Sequence, residues 1–186
     1  NIMFLRSKTI LLLPLLISFL MDGKPNIIII LTDDLGWGDV SYHGGSIPTP
    51  NIDELVSKGL EMNRFYSDPS CSPTRATMLT GINSFANGVV RPFANPRVES
   101  HGMPLEHKIM PEYFKEAGYQ TALSGKWHLG MSEEGFLPIN RGFDSTYGHL
   151  MGGIGYFDHA FSGRLDWHRN SICLLYTSPS PRDLAR

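Results

Sequence analysis

Apolar residues follow two patterns along this chain, continuous short runs and runs with helical spacing. Residues 26–31 read NIIIIL. A continuous run rich in β-branched residues is typical of a strand buried on both faces, as in a parallel sheet. Residues 119–124 alternate as a second strand would. The pattern therefore predicts two strands that are far apart in the sequence.

Three segments between these strands predict helices. Residues 48–59 have helical apolar spacing, with proline near the start and glycine at the end. A second helix is expected just after Cys71, with Ser72 as its cap, running to about residue 80. Residues 108–117 form the third. The order strand, helix, helix, helix, strand predicts an α/β domain with a largely parallel sheet flanked by helices.

The two ends of the chain differ from its centre. Two basic residues precede an apolar run over residues 10–21, which predicts a secretory signal peptide. An uncleaved anchor or a buried apolar helix is the alternative. From Ser171 the chain reads SICLLYTSPSPRDLAR. Its Ser-Pro-Ser-Pro run cannot extend a helix or a central strand, so we expect residues 171–186 to be a non-native or flexible tail. The predicted parts are a signal peptide over 1–23, a domain over 24–170 and a tail over 171–186.

Composition narrows the class of protein. Hydrophobic residues make up 41% and charged residues 18%, as in a globular chain. The net charge of −2 indicates no nucleic-acid partner, which would need a basic surface. The 2 cysteines, Cys71 and Cys173, could form a disulfide in a secreted chain. Because Cys173 lies in the predicted tail, we instead expect Cys71 to have a chemical function.

Two adjacent carboxylates follow the first predicted strand. Ligands of open α/β sheets bind outside the carboxyl ends of strands, where Asp33 and Asp34 are expected. Adjacent carboxylates repel each other unless a positive charge lies between them, and a hard divalent cation meets that need. A solvated turn or a helix cap is the alternative. The pattern is compatible with a metal site but supplies only part of its ligands.

Cationic and nucleophilic residues occupy two further segments. Cys71 lies at the start of a predicted helix, where free N–H groups favour an anion, and Arg75 follows one turn later. A structural cysteine at a helix end is the alternative. Lys126 and His128 flank a tryptophan in a glycine-bounded loop, and residues two apart can point the same way. A surface lysine and a core histidine are the alternative. Together these groups suit transfer of a highly charged group.

The same segments resemble the signatures of a known enzyme family. Residues 71–81 (CSPTRATMLTG) and 118–129 (GYQTALSGKWHL) resemble the first and second signatures of the formylglycine-dependent sulfatases, with the arylsulfatase B-like group most similar. Residues 25–39 and 140–148 are also similar to that family. The resemblance implies an alkaline-phosphatase-like α/β fold and sulfate ester hydrolysis in the secretory pathway, as a lysosomal or secreted enzyme. The substrate would be a sulfated small molecule or glycan.

The resemblance also implies site residues and a maturation partner. A formylglycine-generating enzyme would oxidise Cys71 in the endoplasmic reticulum, and the hydrated aldehyde would be the nucleophile. Calcium would be held by Asp33, Asp34 and the modified Cys71. Arg75 would steady the hydrated aldehyde, Lys126 would hold a sulfate oxygen and His128 would accept a proton.

The resemblance leaves part of the family's site unassigned. Family members carry a second pair of metal ligands, another histidine and a lysine farther along the chain, and His149, His159 and His168 do not match them. We therefore expect an amino-terminal, truncated part of the catalytic domain, which as written could be inactive. A phosphatase or phosphonate hydrolase of the same superfamily and a non-catalytic relative remain the alternatives.

Overall fold

A computed structural model describes residues 23–93 and 102–174. The chain divides into two compact units, Asn1–Lys58 and Gly59–Arg186. The predicted signal peptide, apart from Gly23, and residues 175–186 of the predicted tail lie outside the described residues. Within the described ranges, no helix is long and apolar enough to cross a membrane.

The described part of the first unit contains one α-helix, α1, at Pro50–Lys58, within the predicted range. The Thr49 hydroxyl donates to the Asp53 carboxylate at 2.9 Å, and the Ser41 hydroxyl donates to the same carboxylate at 2.7 Å. These bonds lower the pKa of Asp53, the Ser41 bond contributing most. The predicted helix is thus confirmed, and two short 3-10 helices precede it at Trp37–Asp39 and Ser41–His43.

Residues 26–31 form no strand, which corrects the prediction of a strand buried on both faces. Their side chains are exposed, with Ile28 at 83% and Ile30 at 78% of full exposure. A strand is held by hydrogen bonds to a neighbouring strand. No described residue pairs with this run, so its apolar pattern lacks the partners that would bury it.

The second unit begins with helices. Helix α2 is Cys71–Thr80, α3 is Ser84–Asn87 and α4 is Met110–Glu116. Gly81 ends α2 in the left-handed region at φ 68°, as predicted. The N-cap is Ser70, so the prediction of Ser72 as the cap is wrong. Ser72 lies one residue inside the helix, fully buried, and its hydroxyl bonds elsewhere.

A four-stranded sheet follows in the second unit. Strand β1 is Ala122–Lys126, and it pairs in parallel with β2, Ser145–His149. Strand β5, His168–Arg169, is antiparallel to β2, and β6, Ile172–Cys173, is antiparallel to β5. A separate hairpin joins β3, Ala160–Phe161, to β4, Arg164–Leu165.

This arrangement confirms the α/β class, whereas the described sheet is mixed rather than largely parallel. The second predicted strand begins at Ala122, three residues later than expected, and includes Gly125 and Lys126. The crossover from β1 to β2 contains two 3-10 helices, Glu134–Phe136 and Pro138–Asn140. Strand β6 lies within the predicted tail, and this pairing does not test where the tail comes from.

The core of the second unit lies where the end of β1 meets α2. Trp127 is 2% exposed, and its indole N–H donates to the carbonyls of Gly130 and Phe136 at 3.1 and 3.0 Å. Buried polar groups need such partners. The apolar side chains packed together here are Ala76, Leu79, Val89, Met103, Ile109, Trp127, Leu129, Phe143 and Leu150. Residues 126–128 are therefore anchored between helix and sheet.

Candidate active site

Cys71 is the first residue of α2, and the loop before it is tied to the helix. The Asp68 carboxylate accepts hydrogen bonds from the hydroxyls of Thr77, at 2.7 Å, and Ser84, at 2.5 Å. The Asp68 carbonyl also accepts from Thr74 at 2.9 Å. The thiol of Cys71 is free and half-buried. The position of residue 71 is thus fixed at the positive end of the helix dipole.

The Cys71 thiol contacts one ring nitrogen of His128. The Sγ–Nδ1 distance is 3.2 Å, and the other ring nitrogen, Nε2, lies 3.1 Å from the Phe93 carbonyl. A carbonyl only accepts, so Nε2 carries a proton. In the neutral imidazole Nδ1 is then the acceptor, and it faces the side chain of residue 71. The geometry therefore places a base against that side chain.

His128 is held from several sides in an uncommon backbone conformation. Its φ is 56°, in the left-handed region, which costs a non-glycine residue about 1–2 kcal/mol. Its N–H donates to the Leu150 carbonyl at 3.1 Å, and its carbonyl accepts from the Ser72 hydroxyl at 2.8 Å. A Cβ on Gly152 would come within 2.7 Å of the ring. These contacts fix the 5% exposed imidazole against Cys71.

Two cationic residues are joined through the backbone beside this pair. Arg75 lies one turn after Cys71, and its guanidinium donates to the Lys126 carbonyl at 2.7 Å. Lys126 is the last residue of β1. The second unit thus brings together a thiol, an imidazole and two cations, which is a set of groups suited to an anion.

Asp33 and Asp34 belong to the first unit and are exposed at a bend. Asp34 has a φ of 57°, which turns the chain sharply after Asp33. Carboxylates are the hard oxygen donors that calcium takes, although two of them supply only part of its six to eight ligands. Among the described residues, no group of three or more His, Cys, Asp or Glu side chains could hold a metal ion. The three-ligand site with Cys71 stays a prediction.

Four residues that hold His128 are not among the predicted site residues, namely Ser72, Phe93, Leu150 and Gly152. Ser72 was assigned to a cap, and the other three carried no signal in the sequence. Phe93 lies 35 residues before His128 in the sequence, and Ser72 lies 56 residues before it. Helical or strand periodicity cannot reveal such pairings, because they depend on how the segments pack.

Comparisons with known proteins identify the family. The family model described as Sulfatase matches residues 25–162. Arylsulfatase J of Mus musculus is 38% identical over 137 residues, covering 74% of this chain and 23% of that protein. N-acetylgalactosamine-6-sulfatase of Homo sapiens is 39% identical over 143 residues, covering 73% of this chain and 27% of that protein.

Solved structures are similar as well. The crystal structure of Ps i-CgsB superposes with a TM-score of 0.73 at 33% identity, covering 83% of this chain and 38% of that one. PsFucS1 sulfatase from Pseudoalteromonas sp. gives a TM-score of 0.65 at 36% identity, with coverages of 77% and 29%. The chain spans about a quarter of the length of the curated relatives named above. The chain belongs to the sulfatase family, and its fold is alkaline-phosphatase-like.

Proposed function

We propose that the protein containing this chain is a sulfuric ester hydrolase whose nucleophile is formylglycine made from Cys71. One observation carries the proposal: the Cys71 side chain meets Nδ1 of His128 at 3.2 Å, at the start of α2. Nearby, Arg75 contacts the carbonyl of Lys126. A nucleophile, a base and two cations are the groups that transfer of a charged sulfuryl group needs.

The modified residue would supply two hydroxyls on one carbon. One would attack sulfur and displace the alcohol of the ester, which takes up a proton. Loss of the proton of the second would then break the carbon–oxygen bond to sulfate as the aldehyde re-forms, and water would add to the aldehyde to restore the hydrate. His128 accepts the proton of the second hydroxyl at Nδ1, because the Phe93 carbonyl keeps the other nitrogen protonated. Arg75 and Lys126 neutralise charge on the sulfate oxygens. The buried backbone around residue 128 keeps the base in place while the sulfate group is bound.

Calcium is the metal that we propose for this protein, with Asp33 and Asp34 among its ligands. When bound, it would supply positive charge that stabilises the developing charge of the sulfate group. The support is the pair of consecutive carboxylates together with the family membership.

Sulfated small molecules or glycans are the proposed substrates. Similar proteins include an N-acetylgalactosamine-6-sulfatase and a structure of Ps i-CgsB in complex with k-i-k-neocarrahexaose, at 31% identity and a TM-score of 0.67. A formylglycine-generating enzyme would act on Cys71 during passage through the secretory pathway. We propose a lysosomal or secreted location on this basis.

Turnover of paired substrates tests the function. The full-length protein is incubated with an aryl sulfate and with the aryl phosphate of the same leaving group, and release of the phenol is followed. We expect the sulfate to be cleaved with the higher kcat/KM. Preferred cleavage of the phosphate would favour a phosphatase or phosphonate hydrolase instead. Cleavage of neither would favour a non-catalytic relative.

A further inference from the structure

His149 lies beside Lys126 at the ends of two paired strands. It is the last residue of β2, and Lys126, the last residue of β1, is its partner in the parallel register. The His149 carbonyl accepts from the N–H of Trp127 at 2.9 Å. Paired positions on neighbouring strands project from the same face of a sheet. The His149 imidazole therefore shares a face with the lysine that we propose to hold sulfate.

A backbone contact fixes which nitrogen of His149 can gain a proton. Nδ1 lies 2.9 Å from the Met151 carbonyl, which can only accept, so Nδ1 is protonated. In the neutral ring Nε2 is an acceptor. Because the oxygens of a sulfate group also only accept, the neutral ring cannot hydrogen-bond to them through Nε2. A second proton can enter only at Nε2. Protonation thus converts this nitrogen from an acceptor into a charged donor.

The surroundings of His149 favour its neutral form. Burial lowers the pKa of the imidazole, and the charges of Lys126 and Arg75 lower it further, whereas the buried Asp166 carboxylate raises it. That carboxylate is shared, because it accepts from the N–H groups of Leu150 and Met151 at 3.3 and 2.7 Å.

The remaining groups against His149 are aromatic rings and a second histidine. The Trp167 ring lies 6.3 Å from the His149 ring at 14°, and His159 stacks on the same indole at 4.8 Å. His168 bonds the Asp166 carboxylate through Nε2 at 3.0 Å. The charges that act on His149 are therefore two cations and one carboxylate that already has other donors.

We infer that His149 is a further residue of the anion site, donating from Nε2 to the bound sulfate group beside Lys126 when the imidazole is protonated. When the ring is neutral, that hydrogen bond is absent and the Nε2 lone pair faces the anion. The inference rests on the proposed function, because it takes Lys126 to be a sulfate ligand. Anion affinity should then rise as the pH falls.

Inhibition by inorganic sulfate measures this effect, because sulfate keeps its charge of two throughout the range in which histidine titrates. The Ki of sulfate against aryl sulfate hydrolysis is measured on the full-length protein from about pH 8 to about pH 5. We expect Ki of the parent to fall about fivefold or more, the scale of one added unit charge near the anion.

Two variants isolate His149 from the other titrating groups. His149→Asn keeps a donor toward Met151 but has no second proton to gain, so its Ki should change much less with pH. His159→Asn is the matched control: it removes a histidine from the same indole, and asparagine tolerates the φ of 49° at that position. Its profile should follow the parent. His128 is present in all three proteins, so it cannot account for a difference between their profiles.

The outcomes separate the two proposals. If the parent fails to hydrolyse aryl sulfates, the proposed function is wrong. If the parent is active and His149→Asn keeps the parent's pH profile of Ki, the present inference is overturned while the function stands. Should His149→Asn fail to fold, histidine NMR on the parent gives the same test. By linkage, sulfate must raise the pKa of His149, and an unchanged pKa would contradict the inference.

Discussion

Replacing Ser72 by alanine tests how the His128 imidazole is held in place. The Ser72 hydroxyl is fully buried, donates to the His128 carbonyl at 2.8 Å and accepts from the Phe93 N–H at 3.3 Å. One hydroxyl therefore fixes both His128, whose ring faces Cys71, and Phe93, whose carbonyl determines which nitrogen of the His128 ring is protonated. Ser72→Ala removes both bonds without adding bulk.

The cost follows from what is left unpaired. A buried donor or acceptor that loses its partner costs about 1–3 kcal/mol. The His128 carbonyl is buried with its residue, whereas Phe93 is half-buried and water reaches it more easily. Two groups left unpaired would together cost about 2–6 kcal/mol. Because the second bond is long and water can reach Phe93, we expect the lower end of that range for the pair. Ser72→Ala should lower the free energy of unfolding by about 2–3 kcal/mol.

Urea unfolding of the full-length protein measures this change. The matched control is Ser57→Ala in α1, where the hydroxyl also donates to a carbonyl, that of Glu54, at 2.8 Å but is exposed. Water replaces that bond, so the control should stay within about 0.5 kcal/mol of the parent. If Ser72→Ala were no more destabilising than Ser57→Ala, the hydroxyl would not be what holds residues 93 and 128.

Three further predictions concern the metal, the nucleophile and acid sensitivity. Asp33→Ala or Asp34→Ala should abolish aryl sulfate hydrolysis, and a chelator should do so reversibly; full activity after complete calcium removal would refute the assignment. Cys71→Ser should give at most one turnover and accumulate a sulfate ester on residue 71 by intact mass, since one oxygen cannot expel sulfate. Repeated turnover by Cys71→Ser at the parent rate would contradict the mechanism. His128→Ala should still turn over, at a rate reduced about a hundred- to ten-thousandfold, because general-base catalysis contributes that factor. Because the pKa of His149 is lowered from 6.5, the unfolded chain takes up a proton first, so stability should fall as the pH drops below about 6.5. His149→Asn should make that fall shallower in urea titrations, and an unchanged pH profile would show that His149 is not its source.

Local signals in the sequence are sufficient to predict the helix that begins at Cys71. Proline near the start and Gly81 at the end bracket α2, and the observed helix ends where glycine adopts φ 68°. The cap was misassigned by two residues, from Ser70 to Ser72, because both are serines beside the same turn. Ser70 has the extended backbone of an N-cap, with φ −154° and ψ 166°, whereas Ser72 is already helical, and the local sequence does not show which serine precedes the first helical residue.

Long-range pairing explains what the sequence could not predict. Residues 26–31 have the composition of a buried strand, yet among the described residues no strand pairs with them. Strands β5 and β6 have two residues each, too few for any periodicity to show. The left-handed conformation of His128 is equally hidden, since it depends on bonds to Ser72 and Leu150.

Mass spectrometry of residue 71 tests the central claim most directly. Trypsin should release residues 65–75 of the full-length protein as one peptide, because Arg64 precedes it and Arg75 ends it. In active enzyme purified from a secreting cell, this peptide should be lighter than the cysteine form by the replacement of a thiol-bearing CH₂ group with an aldehyde. Active enzyme in which the peptide occurs only with unmodified cysteine would contradict the formylglycine mechanism.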